Sequence, residues 1–262
     1  MGKYSVLCLN GGGVRGSLQV GALLEYGDLH FPEGIYGISI GSVIAALIAF
    51  QFTLEELEDL CYNCLNLNTL LNVPRLDTFL KLPSTMGMDT GEKAYQKFKE
   101  IFAKKNLDLD TLTIGDAHYP LYIIGSDLTF FKSVVFNETV PLWDAIRASI
   151  SLPILFTPHV IRGRTFVDGG LLCRNIAKHV PVPHREKALF LLCNNNPEVK
   201  DISSYMKSIV HSPCVMESRA LQKIYPKNVC MLTESNTDVL DIDVDVNALL
   251  EHGRQSYRNF LS

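Results

Sequence analysis

The sequence has no apolar run long enough to span a membrane. Its longest run covers residues 43–50, whereas a transmembrane helix needs ~20 predominantly apolar residues. A secretory signal is also not expected, because the apolar stretch Tyr4–Leu9 is too short for the hydrophobic region of a signal peptide and a glycine cluster follows it. Both absences predict a soluble protein.

The sequence also lacks a large excess of either positive or negative charge. The 262 residues include 24 Lys and Arg and 28 Asp and Glu, a net charge of −4 without a basic stripe, so nucleic acid is not an expected partner. A weakly anionic chain has no general attraction to anionic membranes either, and contact with lipid is therefore expected to be local and apolar. The seven cysteines are an odd number scattered through apolar segments, which is typical of reduced thiols in an intracellular protein.

A serine bracketed by glycines is the central feature of the chain. Gly37-Ile38-Ser39-Ile40-Gly41 follows a short segment typical of a buried strand and precedes an alanine-rich apolar run typical of a buried helix. In this context the G-x-S-x-G pattern predicts a nucleophile elbow, in which the serine takes a strained backbone conformation and its hydroxyl projects from the sheet. The alternative is a Gly/Ser turn that serves only close packing of the helix on the strand.

A second glycine-rich loop precedes the first predicted helix. A buried strand over residues 4–10 runs into Gly11-Gly12-Gly13-Val14-Arg15-Gly16, and the following helix ends at Gly27. The spacing matches the G-x-G-x-x-G pattern of dinucleotide-binding proteins, but Glu33, the acidic residue nearest to the required position, precedes the second strand instead of ending it. Backbone N–H groups in such a loop still favour negative charge. Beside a serine nucleophile, that charge is the oxyanion of a tetrahedral intermediate.

Predicted strands and helices alternate along the rest of the chain. Strands are expected at residues 121–126, 164–167, 188–193 and 229–232, and helices at residues 54–66, 90–104, 142–149, 203–224 and 246–261. Thr53 with Glu56 is a predicted capping box for the first of these helices, and Asp89 is the predicted cap of the second. The alternation predicts one α/β domain over residues 1–262, with a mostly parallel sheet covered on both faces. Residues 68–88 lack regular periodicity and fit either a packed surface loop or a lid that faces lipid.

A serine hydroxyl needs a base within hydrogen-bond reach. Asp168 follows the predicted strand 164–167 and precedes Gly169-Gly170, so its carboxylate is held at a strand end, although a simple turn-forming Asp-Gly has the same sequence. None of the seven histidines is marked out by its context. The residues alone therefore leave both Asp168 and a histidine open as the base.

Three of these motifs, in this order and near these spacings, resemble those of the patatin-like phospholipases. They are Gly11-Gly12-Gly13-Val14-Arg15-Gly16, Gly37-Ile38-Ser39-Ile40-Gly41 and Asp168-Gly169-Gly170. Residues 126–129 and 145–153 are similar to intermediate blocks of that family. The resemblance covers about residues 4–178, and it departs from the family where Asn175 is followed by Ile176 instead of proline.

The resemblance implies a three-layer α/β/α fold with a mostly parallel central sheet. It also implies a lipid acyl hydrolase that cleaves the fatty-acyl esters of phospholipids, as a phospholipase A does, without a metal or cofactor. The implied partner is a lipid substrate. A cytoplasmic protein would reach it by transient peripheral contact with membranes or lipid surfaces.

The resemblance further assigns a role to individual residues. Ser39 would be the nucleophile and Asp168 the general base, acting as a dyad without histidine. The backbone N–H groups of Gly12, Gly13 and Val14 would form the oxyanion hole. The neighbouring arginine, Arg15, would orient the loop or meet a lipid phosphate.

Two other functions stay open at this point. An esterase or acyltransferase with a Ser-His pair keeps the order Ser, Asp, His through His179, His184, His211 or His252, and it predicts that substitution of one histidine abolishes turnover. A catalytically idle lipid-binding protein on the same fold predicts that a fluorophosphonate does not label Ser39.

Overall fold

The computed structural model describes residues 3–64, 67–72, 82–194, 199, 201–233 and 244–262. The strands are β1 (Val6–Leu9), β2 (Gly34–Ile38), β3 (Gly87–Asp89), β4 (Leu121–Asp127), β5 (Lys132–Val135), β6 (Ile154–Phe156), β7 (His159–Ile161), β8 (Arg164–Val167), β9 (Ala188–Asn194) and β10 (Val229–Thr233). The helices are α1 (Gly16–Tyr26), α2 (Ile40–Ala49), α3 (Leu54–Asn63), α4 (Leu67–Leu70), α5 (82–85), α6 (Glu92–Ala103), α7 (Leu142–Ser149), α8 (Val182–Arg185), α9 (Ile202–Ile224) and α10 (Val246–Leu261). Short 3-10 helices cover Gly13–Arg15, Ile114–Asp116, Gly169–Leu171 and Ile176–His179.

Eight of the described strands form the central sheet. Their order is β10-β9-β1-β2-β4-β8-β7, with β5 also paired to β4, while β3 and β6 pair separately. The five strands from β10 to β4 are parallel, and β5, β7 and β8 join by antiparallel pairing. A parallel strand covered on both faces has to be apolar almost throughout, and β1 and β9 are buried at every position. The predicted mostly parallel sheet is confirmed.

Alternate side chains of the sheet enter two hydrophobic cores. In β1, Leu7 and Leu9 pack into the larger core with α1, α2, α3, α6, α7 and α10. Val6 and Cys8 pack into the smaller core, which includes Leu221 of α9. Because successive side chains of a strand point to opposite faces, helices cover both faces of the sheet. The three-layer α/β/α fold is therefore confirmed.

Most predicted helix and strand bounds agree with the structure to within a few residues. The predicted helices 142–149 and 246–261 are observed at those residues, and Thr53 forms the predicted capping box with Glu56 at α3. All seven cysteines carry free thiols, and six of them are buried. Among the described helices, none combines the length and the apolar character that crossing a bilayer requires.

The prediction that Asp89 caps the following helix is wrong. Asp89 ends β3, and Gly91 is the residue that precedes α6, with a left-handed φ of 82°. The Asp89 carboxylate instead accepts hydrogen bonds from the N–H groups of Gly91, over 2.6 Å, and Asn72, over 2.8 Å. Of the irregular segment 68–88, residues 73–81 lie outside the described residues, and the remainder includes parts of α4, α5 and β3.

Helices α1 and α10 pack against each other through two glycines. A Cβ atom on Gly21 would lie 2.1 Å from the carbonyl oxygen of Leu250, and one on Gly253 would lie 2.2 Å from that of Leu18. Only residues without a side chain allow backbones to approach so closely. Since α1 follows the glycine-rich loop directly, this contact also holds the helix that supports the loop.

We expect Gly21→Ala to lower the free energy of unfolding by about 2 kcal/mol or more, because α10 has to move away from α1. Helix propensity alone predicts the opposite sign, a gain of about 1 kcal/mol for alanine. Urea unfolding measures the difference, and Gln255→Ala on the exposed face of α10 is the control. An unchanged unfolding midpoint for Gly21→Ala would contradict the close packing.

Candidate active site

Ser39 lies in a sharp turn between β2 and α2. Its backbone angles are φ 54° and ψ −129°, which a residue with a side chain adopts only under strain. The flanking glycines are required by their surroundings. A Cβ atom on Gly37 would lie 2.4 Å from Cα of Ser42, and one on Gly41 would lie 2.5 Å from the carbonyl oxygen of Leu9. The turn therefore has the geometry predicted for a nucleophile elbow.

Hydrogen bonds hold this strained turn from two sides. The backbone N–H of Ser39 donates to Ser149 Oγ over 2.9 Å, and that hydroxyl donates to the carbonyl oxygen of Ile124 over 2.7 Å. From α2, Ser42 Oγ donates to the carbonyl oxygen of Ser39 over 2.6 Å. The turn is thus tied to α7, to β4 and to its own helix.

The sheet brings Asp168 to the same place from the opposite direction. β2 pairs with β4 over Leu121–Ile124, and β5 pairs along the other edge of β4. β8 is antiparallel to β4 and pairs with Ser126 and Asp127 of that strand. It therefore lies on the same edge of β4 as β2, beyond the point where β2 ends. Because β2 and β8 approach each other end to end, the residues that follow them, Ser39 and Asp168, meet.

The Asp168 carboxylate is buried and hydrogen-bonded. Its side chain accepts a hydrogen bond from the Gly170 N–H over 2.8 Å and interacts with the Ser39 hydroxyl. Burial raises the pKa of the Asp168 carboxyl to about 6, although both hydrogen bonds act in the opposite direction by stabilising the charged form. Such a carboxyl is ionised at neutral pH and is still basic enough to accept a proton.

The turn that carries Asp168 is fixed by serines of the two intermediate sequence blocks. The Asp168 N–H donates to the carbonyl oxygen of Ser151 over 2.8 Å. Ser126 Oγ donates to the carbonyl oxygen of Gly169 over 3.2 Å and accepts from the Leu172 N–H over 3.0 Å. The blocks at residues 126–129 and 145–153, to which the sequence assigned no role, therefore position both Ser39 and Asp168.

The glycine-rich loop passes next to Ser39. A Cβ atom on Gly11 would lie 3.0 Å from Cβ of Ser39, and one on Gly12 would lie 2.9 Å from Cβ of Cys193. Gly13 has a left-handed φ of 57° and begins the 3-10 helix that leads into α1. The first N–H groups of a helix have no partner within it. The loop can therefore offer N–H groups, including that of Val14, to an anion beside Ser39.

Three polar side chains hold this loop in place. Asn10 extends the pairing of β1 with β9 through its side chain, because Oδ1 accepts from the Cys193 N–H over 2.7 Å and Nδ2 donates to the Cys193 carbonyl over 2.9 Å. Gln19, fully buried on α1, donates to the carbonyl oxygen of Asn10 over 2.9 Å. Arg15 is buried as well, and its Nε donates to the carbonyl oxygen of Gly12 over 3.3 Å.

A cavity of about 470 Å³ adjoins Ser39, Asp168 and the glycine-rich loop. Its wall is mostly apolar and draws on helices from both faces of the sheet. Among the lining residues are Val43, Phe98, Leu152, Phe156, Leu192 and Leu221. Arg174, which is exposed, also lines the cavity.

The histidines of the Ser-His alternative lie elsewhere. No histidine is found among the described residues that line the cavity. His179 Nε2 is hydrogen-bonded to Ser133 Oγ over 2.9 Å, His184 is 3.9 Å from the Glu33 carboxylate, and His252 is on the exposed surface of α10. The side chain of His211 lies outside the described part of the chain. The sequence left Asp168 and a histidine open as the base. In the described part of the chain, Asp168 is the candidate that lies next to Ser39.

Glu33 lies at the wrong end of the sheet for a dinucleotide site. It precedes β2, whereas Ser39 and the cavity are at the end where β2 finishes. Its carboxylate pairs with Lys187 Nζ over 2.7 Å. Among the described residues, Glu33 therefore does not serve as the acidic partner that a ribose would require beside the glycine-rich loop.

Comparison with known proteins agrees with the geometry. A family model described as patatin-like phospholipase matches residues 7–182. An uncharacterized protein of Acanthamoeba polyphaga mimivirus is 28% identical over 172 residues, 63% of this chain and 57% of that protein. An uncharacterized NTE family protein of Mycobacterium tuberculosis is 29% identical over 167 residues, 63% of this chain and 42% of that protein. The chain thus spans about half the length of these curated relatives.

A solved structure has the same fold. VipD from Legionella pneumophila matches with a TM-score of 0.63 at 13% sequence identity. The match covers 99% of this chain and 67% of that chain. At this level of identity the likeness shows the fold alone.

We expect Asp168→Asn to stabilise the protein at neutral pH. The folded state raises the pKa of the Asp168 carboxyl from 3.8 to about 6, so the buried charge costs progressively more free energy as the pH rises through that interval. At pH 7 the cost corresponds to about 3 kcal/mol. The asparagine variant avoids it and can still accept the Gly170 hydrogen bond.

Urea unfolding at several pH values measures this difference. The advantage of Asp168→Asn over the wild type should shrink as the pH falls from about 6 and vanish near pH 4. Asp59→Asn, on the exposed surface of α3, is the matched control and should show no such trend. A variant that is less stable than the wild type at neutral pH would contradict a buried, ionised Asp168.

Proposed function

Because the chain belongs to the patatin-like phospholipase family, we propose that it is a serine lipid acyl hydrolase that cleaves fatty-acyl esters of phospholipids as a phospholipase A. One observation carries this proposal. Ser39, in a strained turn, meets Asp168, a buried carboxyl with a pKa of about 6, beside an apolar cavity. A nucleophile, a base and a place for an acyl chain are the parts that ester hydrolysis needs.

In the first half-reaction, Asp168 accepts the proton of the Ser39 hydroxyl while Ser39 Oγ attacks the carbonyl carbon of the ester. The ester carbonyl oxygen becomes an oxyanion, and the N–H groups of Gly12, Gly13 and Val14 donate to it. Asp168 then gives its proton to the departing lysolipid, which leaves an acyl group on Ser39. The strained elbow supports this step because it fixes the hydroxyl against the carboxylate before substrate binds.

In the second half-reaction, water replaces the alcohol. Asp168 accepts a proton from the water as it attacks the acyl-serine, the same oxyanion hole holds the second intermediate, and the proton returns to Ser39 Oγ as the fatty acid leaves. Loss of one oxyanion-hole donor typically costs ~3 kcal/mol of transition-state stabilisation. The hydrogen bonds of Asn10, Gln19 and Arg15 around the loop are therefore expected to affect catalysis as well as folding.

The shape and charge of the cavity support a lipid with an anionic head group. Apolar walls built from residues such as Phe98, Phe156 and Leu221 suit an acyl chain. The exposed guanidinium of Arg174 places a positive charge at the same cavity, where it can pair with a phosphate. A neutral lipid has no group that uses this charge.

We expect Ser39→Ala and Asp168→Asn each to reduce fatty-acid release from phospholipid vesicles by about 10³-fold or more. Because the two residues act as one unit, the double variant should be hardly worse than either single variant. Wild-type kcat/KM should fall as the pH drops below about 6, since Asp168 becomes protonated there. His179→Gln is the control and should retain activity.

Other outcomes assign the protein differently. Loss of turnover in a histidine variant with activity retained in Asp168→Asn would favour the Ser-His alternative. Release from triacylglycerol emulsions but not from phospholipid vesicles would contradict the proposed substrate class while keeping the mechanism. No release from either lipid by the wild type would favour a lipid-binding protein without turnover.

A further inference from the structure

Two phenylalanines at the tip of the β4–β5 hairpin are exposed to solvent. Phe130 is 62% exposed and Phe131 is 79% exposed, and they are adjacent in the chain. A single exposed apolar residue is ordinary on a protein surface, but two large aromatic side chains together at the end of a projecting hairpin mark an interaction surface. We refer to Phe130, Phe131 and Lys132 as the hairpin tip.

The backbone of the hairpin tip is not the one that phenylalanine favours. Phe131 has a left-handed φ of 53°, a conformation that turns normally give to glycine, asparagine or aspartate. A bulky aromatic residue there costs conformational free energy. Folding of the hairpin therefore does not explain the presence of phenylalanine at this position.

Hydrogen bonds and an ion pair hold the base of the hairpin. The buried Asp127 carboxylate accepts from the Thr129 N–H over 2.8 Å and pairs with the Arg164 guanidinium of β8. The Leu128 N–H donates to the carbonyl oxygen of Thr165 over 2.9 Å. The two phenylalanines are thus presented by a fixed scaffold.

The hairpin tip lies at the active-site end of the sheet. β4 is parallel to β2, so the turn after β4 is at the same end as Ser39, which follows β2. Asp168 follows β8, whose other end, at Arg164, lies beside the tip. A surface that contacts the tip therefore meets the molecule at the end of the sheet that carries Ser39.

Two basic side chains lie over the Phe130 ring. Lys132 Nζ is 5.7 Å from the centre of the Phe130 ring, and the Arg164 guanidinium carbon is 5.3 Å from it. Arg162, in the adjacent β7–β8 turn, is exposed as well. The Arg164 guanidinium is also paired with the buried Asp127 carboxylate, so the positive charge that faces solvent here comes from Lys132 and Arg162. Aromatic side chains flanked by basic ones suit the boundary between acyl chains and anionic head groups.

We propose that the hairpin tip inserts into anionic lipid surfaces and docks the active-site end of the protein on its substrate membrane. This inference deepens the proposed function and rests on it for the choice of lipid as the partner. Its test is a binding measurement in the Ser39→Ala background, where no lipid is consumed. Failure of docking and failure of hydrolysis can therefore be told apart.

Cosedimentation with vesicles of phosphatidylcholine and phosphatidylserine measures the partition constant. Phe131→Asn should lower it about tenfold, and Phe130→Ser with Phe131→Asn should lower it further, because apolar area no longer enters the membrane. Asparagine accepts the left-handed backbone, so the Tm of Phe131→Asn should equal or exceed that of the parent. Hydrolysis of a water-soluble ester by the otherwise wild-type protein should be unchanged by the same substitution.

Val182→Ser with Ile224→Ser is the matched control. These residues are 65% and 67% exposed and precede β9 and β10, at the end of the sheet opposite the active site, so their substitution should leave vesicle binding intact. Undiminished binding of the hairpin-tip double variant, or an equal loss in the control, would overturn the proposal. If the protein forms a dimer without lipid and Phe131→Asn dissociates that dimer, the tip would instead be assigned to contact between two copies of the chain.

Discussion

The proposed active site depends on one constraint, which is that β2 and β8 approach each other end to end along one edge of β4. β2 is parallel to β4 and β8 is antiparallel to it, so the turns that follow the two strands face each other. One turn carries Ser39 and the other carries Asp168. The parallel strands on the far side of β2 then add the glycine-rich loop after β1 and Cys193 near the end of β9.

This arrangement concentrates two unfavourable features at one point. Ser39 has a backbone conformation that side chains disfavour, and Asp168 is a carboxylate removed from water. Both are offset locally, by the Ser149 hydroxyl at the Ser39 N–H and by the Gly170 N–H at the carboxylate. Strain and a perturbed pKa that occur together beside a cavity are typical of catalytic sites. The burial that raises the pKa of the Asp168 carboxyl, and so suits it to the base role we propose, also makes the folded protein less stable.

Local patterns in the sequence predicted most of the fold, because helix and strand periodicity is a short-range property. The alternation of strands and helices along the sequence predicted a mostly parallel sheet, but nothing local indicates that β8 joins the edge where β2 ends. The residues alone therefore left the base open between Asp168 and a histidine, and family resemblance favoured Asp168. Asn10, Gln19, Ser126 and Ser149 were missed, since a single polar residue in an apolar segment does not reveal what its side chain meets. Asp89 was misassigned because Gly91, with its left-handed φ, separates β3 from α6.

Covalent labelling of Ser39 by a fluorophosphonate tests the central claim most directly, because it needs the nucleophile and its base but no particular lipid. Mass spectrometry of the digested protein should locate one adduct, on Ser39, and the rate of labelling should fall by about 10³-fold in Asp168→Asn. The wild-type rate should rise with pH through about 6, as Asp168 loses its proton. An adduct on another residue, or a rate that Asp168→Asn leaves unchanged, would contradict a Ser39–Asp168 dyad.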